Sequence, residues 1–575
     1  MQPLQKKKWV LRSTDLPDYS SDMILKLSQS NGIPPLITKI LLLNGVSSFS
    51  TFLSPSLNKL HNPFSMKNMD CAVERIVKAI RCKEKILVFG DYDVDGITAT
   101  SILVRFLQEA GAARVLYQIP DRFRDGYGLK HSVIDFCKDE QVDLLITVDC
   151  GITSVDEVAY ATGYGIDVII TDHHECKKEL PSAVAVLNPK QPDCGYPFKN
   201  LAGVGVAFKL LEALTQTLGF DKTAFFEKYV DIATVGTIAD VMPLIGENRI
   251  LVKNGIESLS TTKNPGLKAL MRQASVDVNH ITANTIGFGL APRINAAGRM
   301  DDPKLGVELL LAENDEEAEE KARQLDSINR ERQVIEQETF DEAMVMLQDG
   351  IAQFEKDSVL VLAKEGWHSG IIGIVASKIT ERFHKPCILL SCDRGESKGS
   401  GRSIRGFNLF EALSACGQLL TRFGGHELAA GLTIETTQIE EFRKAINTYA
   451  ESCLSSEDFV PTLLIDTKLP MGYANLQTVD KLSVLEPFGM HNPNPVFFCT
   501  NLRVVGIHTM GDGKHLRLQL SDGQVQAQAV GFSMGPLAEK LTVNSSVDIV
   551  YNLEANTYRG ERRVQILLKD LRLSS

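Results

Sequence analysis

Asp91-Tyr92-Asp93-Val94-Asp95-Gly96 sets three carboxylates at alternate positions directly behind the apolar run Ile86 to Phe89. Oxygen ligands at that density are what hard divalent cations take. The segment opens like an EF-hand loop, but such a loop needs a bidentate glutamate at its twelfth position, where Ile102 stands, and a helix where a strand precedes it here. Two further apolar runs end in the same way, Leu144-Leu-Ile-Thr-Val-Asp149 and Val168-Ile-Ile-Thr-Asp172-His173-His174. Parallel sheets place ligands at the carboxyl ends of their strands, so three strand ends would deliver carboxylates and two imidazoles to one crevice. That composition suits a binuclear centre for Mn²⁺ or Mg²⁺, with histidine favouring Mn²⁺, and its chemistry is phosphate-ester hydrolysis without a Ser or Cys nucleophile. Asp231 to Asp240 closes one more apolar stretch with a carboxylate.

A phosphate needs cationic and backbone N–H partners as well. The second half of the chain offers Gly399-Ser400-Gly401-Arg402-Ser403, Gly424-Gly425-His426 and Ala429-Ala430-Gly431. Glycine in tight turns permits close backbone approach, and the Arg402 guanidinium can fork onto phosphate oxygens.

These residues must be positioned by the elements around them. From Lys85 the pattern reads strand, loop, helix, with Ala99, Leu103, Phe106, Leu107 and Ala110 at helical spacing until Gly111. Apolar runs at Val115 to Ile119, Leu144 to Val148, Val168 to Ile170 and Ala183 to Leu187 continue the alternation, which predicts an α/β fold with a doubly wound parallel sheet. Between Gly306 and Gly350 there is neither glycine nor proline, so one or two long helices should connect this domain to the next. A second α/β domain follows, with strands Val359 to Leu362 and Cys387 to Leu390 around a helix from Ile371 to Arg382. Trp367 and His368 precede that helix, as channel lining or as core. Beyond Pro461 strand alternation takes over, clearest from His515 to Val530 with a turn at Ser521 to Gly523, and a small β-barrel is its natural closure. The expected division is therefore a lead-in over 1–66, a metal-binding α/β domain over 67–305, connecting helices over 306–352, a second α/β domain over 353–454 and a β-barrel over 455–575.

Length and composition narrow the functional classes. The 575 residues correspond to about four folding units at roughly 150 residues each. With 44% hydrophobic and 23% charged residues the chain is neither disordered nor rod-like. Its formal net charge of −11 requires any polyanion to be gripped in a local channel rather than on a basic coat. Eleven cysteines without a CxxC pair suit free thiols in a reducing cytoplasm. Lys6 to Lys8 are followed by no apolar h-region, and no 18-residue apolar run exists, so neither an export signal nor a membrane span is expected.

Gly90-Asp-Tyr-Asp-Val-Asp-Gly96, Thr147-Val-Asp-Cys-Gly151, Thr171-Asp-His-His174, Gly236-Thr-Ile-Ala-Asp240 and Gly424-Gly-His426 resemble, in order and spacing, the DHH/DHHA1 phosphoesterase superfamily and its single-strand-specific exonucleases. The resemblance covers nearly the whole chain. It implies two metal ions, held by Asp93 and Asp95, by Asp149 as the bridging carboxylate, and by His173 and Asp240, with Asp91 as ligand or support. It implies that His174 contacts the scissile phosphate or assists the attacking water. Phe89 stands where several relatives carry a histidine. The implied substrate is single-stranded DNA threaded between the two α/β domains and cut from its 5′ end into mononucleotides. Arg122, Ser400, Arg402 and His426 are the candidates for its phosphate, and Arg293 and Arg299, framing the small-residue loop Ile294 to Gly298, for its backbone. The C-terminal barrel is then OB-like, the role recombination and repair, the state a cytoplasmic monomer, and the partners a helicase and a single-strand-binding protein. Two other classes share these motifs: a metabolic phosphodiesterase for short or cyclic nucleotides, which would not need the barrel, and a non-enzymatic DNA-binding scaffold, which would show losses among the ligands.

Overall fold

The computed structural model describes residues 7–12, 20–122, 124, 126, 128–558 and 561–574. Lys6 of the basic lead-in, and Phe123 and Asp125 of the segment around Arg122, lie outside them. The chain forms two compact units: Asn44–Arg330 with Val484–Asn494, and Met1–Leu43 with Glu331–Ser483 and Pro495–Ser575.

Strands are numbered in chain order. β1 (Lys8–Leu11) lies outside the main sheets. β2 (Lys85–Gly90), β3 (Arg114–Gln118), β4 (Leu144–Val148), β5 (Asp167–Thr171) and β6 (Ala185–Leu187) form an all-parallel sheet in the order β3-β2-β4-β5-β6. Both faces are covered, which is why β2 and β4 read as continuous apolar runs. Ile86 and Val88 of β2 pack into one core with the helices Met69–Cys82, Val94–Glu109, Gly203–Leu218 and Lys222–Ala239. Leu87 and Phe89 enter the opposite core with the helices His131–Asp139 and Val155–Gly163. The sheet is thus doubly wound, as the alternation predicts. The chain leaves β2 for one neighbour, β3, and returns to the other, β4, so the sheet has its switch point between β2 and β4. Gly90, Val148 and Thr171 stand in register across the three strands, which places Asp91, Asp149 and Asp172 side by side just beyond them.

A helix at Lys304–Leu311 is followed by a 35-residue helix, Asp315–Asp349, about 50 Å long at 1.5 Å per residue. The second unit holds a mixed sheet of β7 (Leu360–Glu365), β8 (Cys387–Asp393), β9 (Glu396–Arg402), β10 (Arg422–Gly425) and β11 (Ala429–Glu435), in the order β10-β11-β9-β8-β7, with only β7 and β8 parallel. β12 (Thr462–Ile465) pairs in parallel with β1. After β13 (Thr467–Lys468), the strands β14 (Phe497–Met510), β15 (His515–Ser521), β16 (Gln526–Gly531), β17 (Ser546–Tyr558) and β18 (Glu561–Leu573) close into a five-stranded barrel, β14-β15-β16-β18-β17 and back to β14. Its one parallel pair, β16 with β18, gives the partly open Greek-key barrel of an OB fold. Trp367, just before the Ile372–Phe383 helix, is buried and donates its indole N–H to Glu342 of the long helix at 2.8 Å, so it is core.

Segment 484–494 is bonded to the first unit by Arg249, whose side chain is fully buried, and by the Leu244 N–H, which donates to the Met490 carbonyl at 2.8 Å. The Arg249 guanidinium donates to the carbonyls of Phe52 (2.8 Å) and Glu486 (2.9 Å) and lies 3.7 Å from the Phe52 ring centroid. Burial pulls its pKa down to about 10. Replacing it by methionine leaves buried carbonyls without donors, at a cost of about 3 kcal/mol. Arg249→Met should therefore lower the melting temperature by several degrees in a circular-dichroism melt, and an unchanged melt would contradict this assignment.

Candidate metal centre and phosphate cleft

The switch point collects the predicted residues. Ligand atoms of Asp91, Asp93 and Asp149 form one group, those of Asp95, His173 and Asp240 a second, and those of Asp149, His173 and His174 a third, with the atoms of each group within 4.8 Å of one another. Asp149 and His173 each belong to two groups. His173 Nε2 lies 3.1 Å from Asp149, 3.6 Å from Asp240 and 3.8 Å from Asp95.

Local structure explains each position. Asp93 caps the Val94–Glu109 helix, its Oδ1 accepting from the amides of Asp95 (2.9 Å) and Gly96 (3.1 Å). Asp95 reaches the start of another helix, where Oδ2 accepts from Gly203 N–H at 2.6 Å and Oδ1 from Val204 N–H at 2.7 Å. Two helix N-termini thus steady acidic charge here. Asp149 follows β4 with φ 60°, a left-handed backbone that costs a non-glycine residue on the order of 1–3 kcal/mol. Gly203 faces it so closely that a Cβ would collide with the Asp149 carboxylate. Asp240 is delivered by a helix and not by a strand of the sheet: it ends the Lys222–Ala239 helix as its C-cap.

Asp172 separates the two histidines. Its Oδ1 accepts from the amides of His173 (2.7 Å) and His174 (3.0 Å) and from His174 Nδ1 (2.8 Å), while Oδ2 accepts from Ile152 N–H (2.9 Å). Burial opposes charge on His174, but the bond to Asp172 and its negative charge win and raise the imidazole to about 9. Burial, then the charge of His174, drives His173 down to about 3, so it is a neutral imidazole with a lone pair at ordinary pH. Burial is also the first cause of the upward shifts of Asp91, Asp95 and Asp149, and mutual repulsion is the second.

A cleft of about 360 Å³ opens beside the cluster, lined by Asp91, Asp93, His174, Arg122, Asn295 and Arg299 among others. The Arg122 guanidinium lies 5.2 Å from the Tyr92 ring centroid. Arg293 does not line this cleft: it pairs with Asp326 at 2.9 Å and donates to the Gly289 carbonyl at 2.6 Å. The segment between Arg293 and Arg299, expected as a small-residue loop, is the helix Ala291–Met300, and its Asn295 accepts from Val94 N–H at 3.2 Å, tying it to the first acidic motif. Ser400, Arg402 and His426 belong to the other unit. There the glycine clusters are strands rather than turns: Gly399 and Gly401 lie in β9, Gly424 and Gly425 in β10, Gly431 in β11, and His426 is exposed in the hairpin after β10. Arg402 donates to Ser400 Oγ at 3.2 Å, and a Cβ on Gly373, at the start of the Ile372–Phe383 helix, would come within 2.8 Å of that hydroxyl. Sequence reasoning counted Asp172 among the strand-end carboxylates without giving it a role, and did not single out Asn295 or the Gly203–Val204 amides. The glycines of Leu201-Ala-Gly-Val-Gly205, ahead of an apolar helical run, were the available signal for the last.

Residues 85–237 match the DHH family, N-terminal domain, 356–452 the DHHA1 domain, and 465–570 the RecJ OB domain. The single-stranded-DNA-specific exonuclease RecJ of Bacillus subtilis (strain 168) is 39% identical, over 99% of this chain and 71% of its own length. A crystal structure of RecJ in complex with Mn²⁺ from Thermus thermophilus superposes with a TM-score of 0.83 at 30% identity, covering 99% of this chain and 80% of that one. The corresponding complex with Mg²⁺ gives a TM-score of 0.78 at 29% identity, covering 99% and 79%.

The cluster fits such ions. Asp91 Oδ1 and Asp149 Oδ1 are buried and accept no hydrogen bond, which leaves lone pairs aimed into a crevice that only a cation or a proton can neutralise. Without metal, burial and the charge of Asp93 raise Asp240 from 3.8 to about 7. Between those values the folded chain keeps a proton that the unfolded chain has released, so metal-free stability falls as pH rises through this window. A bound divalent ion takes the place of the proton. Mn²⁺ should accordingly raise the melting temperature more at about pH 8 than at about pH 5.5. Equal shifts at both pH values would exclude the cluster as the cation site.

Proposed function

The chain belongs to the RecJ family of single-stranded-DNA-specific exonucleases, and on that premise we propose that it hydrolyses single-stranded DNA stepwise from the 5′ end, releasing mononucleotides. The observation that carries the reading is the adjacency of two ligand groups, Asp91, Asp93 and Asp149 in one and Asp95, His173 and Asp240 in the other, which meet where His173 Nε2 lies 3.1 Å from Asp149, beside a cleft carrying Arg122 and Arg299. In this reading Asp91, Asp93 and Asp149 would hold one ion and Asp95, His173 and Asp240 the other. Bound Mn²⁺ or Mg²⁺ supplies Lewis-acid polarisation of the phosphodiester and a lowered pKa for the attacking water.

The remaining work falls to the protein's own side chains. Arg122 and Arg299 neutralise the phosphate that enters the cleft, and bidentate guanidinium contacts fix its orientation. Arg293 holds the Ala291–Met300 helix in place through Asp326 and Gly289 rather than touching substrate. His174, tied through Nδ1 to Asp172, keeps a proton at Nε2 and offers it as a donor to a phosphate oxygen. Polarity is assigned to Ser400, Arg402 and the start of the Ile372–Phe383 helix, a hydroxyl, a guanidinium and a helix N-terminus suited together to a terminal 5′ phosphate. His426 is assigned to the same phosphate from the hairpin after β10. The barrel extends the grip on the strand through sequence-independent contacts. An enzyme confined to single strands acts on a duplex only behind a helicase, alongside a single-strand-binding protein, which fits a cytoplasmic monomer serving recombination and repair.

The reading is tested with an oligonucleotide labelled at its 3′ end, with and without a 5′ phosphate, in Mn²⁺, beside a cyclic dinucleotide. Stepwise shortening from the 5′ end, faster with the phosphate, is expected. Cleavage of the cyclic dinucleotide alone would move the function to nucleotide metabolism. Asp149→Ala should abolish turnover and metal-induced stabilisation while leaving the circular-dichroism spectrum intact, and wild-type cleavage by that variant would refute the site. Asp172→Asn should slow cleavage about 10- to 100-fold. Because it removes the charge that raises His174, it should also shift the alkaline limb of the pH–rate profile to lower pH, and an unshifted limb would show that His174 holds no essential proton.

A further inference from the structure

The two most exposed large apolar side chains among the described residues are Phe288, 83% exposed, and Val241, 67% exposed. Both adjoin the metal centre along the chain. Val241 directly follows Asp240, and Phe288 lies in the turn that leads into the helix carrying Asn295 and Arg299 to the cleft. Phe288 sits in a single π-helical turn, Thr285–Leu290, between Gly287 and Gly289. Such turns recur at functional segments, because the inserted residue re-aims its neighbours. A Cβ on Gly287 would meet the Ile238 side chain at 3.6 Å, so the turn packs against the end of the helix that delivers Asp240. Val241 has φ 54°, the left-handed position after a helix end that glycine usually fills, and a β-branched residue there is strained. Strain and a π turn thus hold two apolar side chains out in water, where they gain nothing for folding.

The cleft itself is polar. Tyr92, the large aromatic among its lining residues, already carries the Arg122 guanidinium 5.2 Å from its centroid. Phe288 lies seven residues before Asn295 in the same helical run, about 10 Å along the axis from the residue that lines the cleft. We infer that Phe288, flanked by Val241, is a ledge on which a base of the bound strand stacks, next to the nucleotide whose phosphate meets the carboxylates. The inference rests on the exonuclease reading and adds a base contact to it. Every base has a π face, so the ledge grips without reading sequence, and its contribution is about tenfold in apparent affinity.

The test compares KM for a single-stranded oligodeoxynucleotide and for the same strand with abasic sites adjoining its 5′ end. The wild type should favour the intact strand about tenfold, Phe288→Ala should reduce that preference to about twofold or less, and Phe288→Trp should restore it. A side chain so exposed can be replaced without disturbing the core, and a circular-dichroism melt checks this. Phe288→Ala discriminating like the wild type, or Phe288→Trp behaving like alanine, would overturn the ledge alone. A wild type that shortens neither strand would overturn the exonuclease reading, and the ledge with it.

Discussion

Carboxylates packed at the edge of a buried sheet repel one another, and the rest of the catalytic unit is arranged around that repulsion. Asp91, Asp95 and Asp149 are almost entirely removed from water, and their affinity for protons rises accordingly. In a low-dielectric setting a charge of this kind persists only if it is paired, hydrogen-bonded or neutralised. The fold supplies the hydrogen bonds through two helix starts, one capped by Asp93 and the other by Asp95. It leaves the remaining lone pairs of Asp91 and Asp149 to a cation. A site that is costly without its metal binds that metal with the relief of its own repulsion.

The same electrostatic logic divides the neighbouring histidines. Both sit beyond β5, yet Asp172 grips His174 and leaves His173 to face three carboxylates. One imidazole is driven neutral, fit to donate a lone pair to a metal, and the other is held protonated, fit to face a phosphate. Close packing keeps this division in place. Gly203 admits the Asp149 carboxylate and Gly298 admits the Tyr92 carbonyl, contacts that any larger residue would force apart.

Much of this was legible in the sequence. Carboxylates after Phe89, Val148 and Thr171 announced a strand-end cluster because parallel strands are apolar throughout and stop where polar residues begin. The five strands of the parallel sheet and the strands of the barrel followed from apolar patterning, and the long connecting helix from a stretch without glycine or proline, while the helices between Leu187 and Gly306 were not read. Periodicity fails where an apolar run is short or flanked by small residues. The stretch ending at Asp240 reads equally as buried strand or buried helix, and the Ile294 to Gly298 segment resembles a loop only because alanine and glycine carry no amphipathic signal. The glycines around Ser400 and His426 suggested turns, yet those at 399 and 401 lie in paired strands, where a Cβ would strike Leu390, Leu432 or Leu409.

By itself, then, the sequence determined which residue types could gather cations and phosphate, and the periodicity that sends them to one end of a parallel sheet. These are local properties, written in spacing. Tertiary structure alone decided that Asp95 answers the Gly203 helix, that Asp172 splits the histidines, that Arg293 turns to Asp326 while Arg299 faces the cleft, and that Phe288 is left in water. Each depends on what another part of the chain brings within a few ångströms, and such long-range packing leaves no periodic trace.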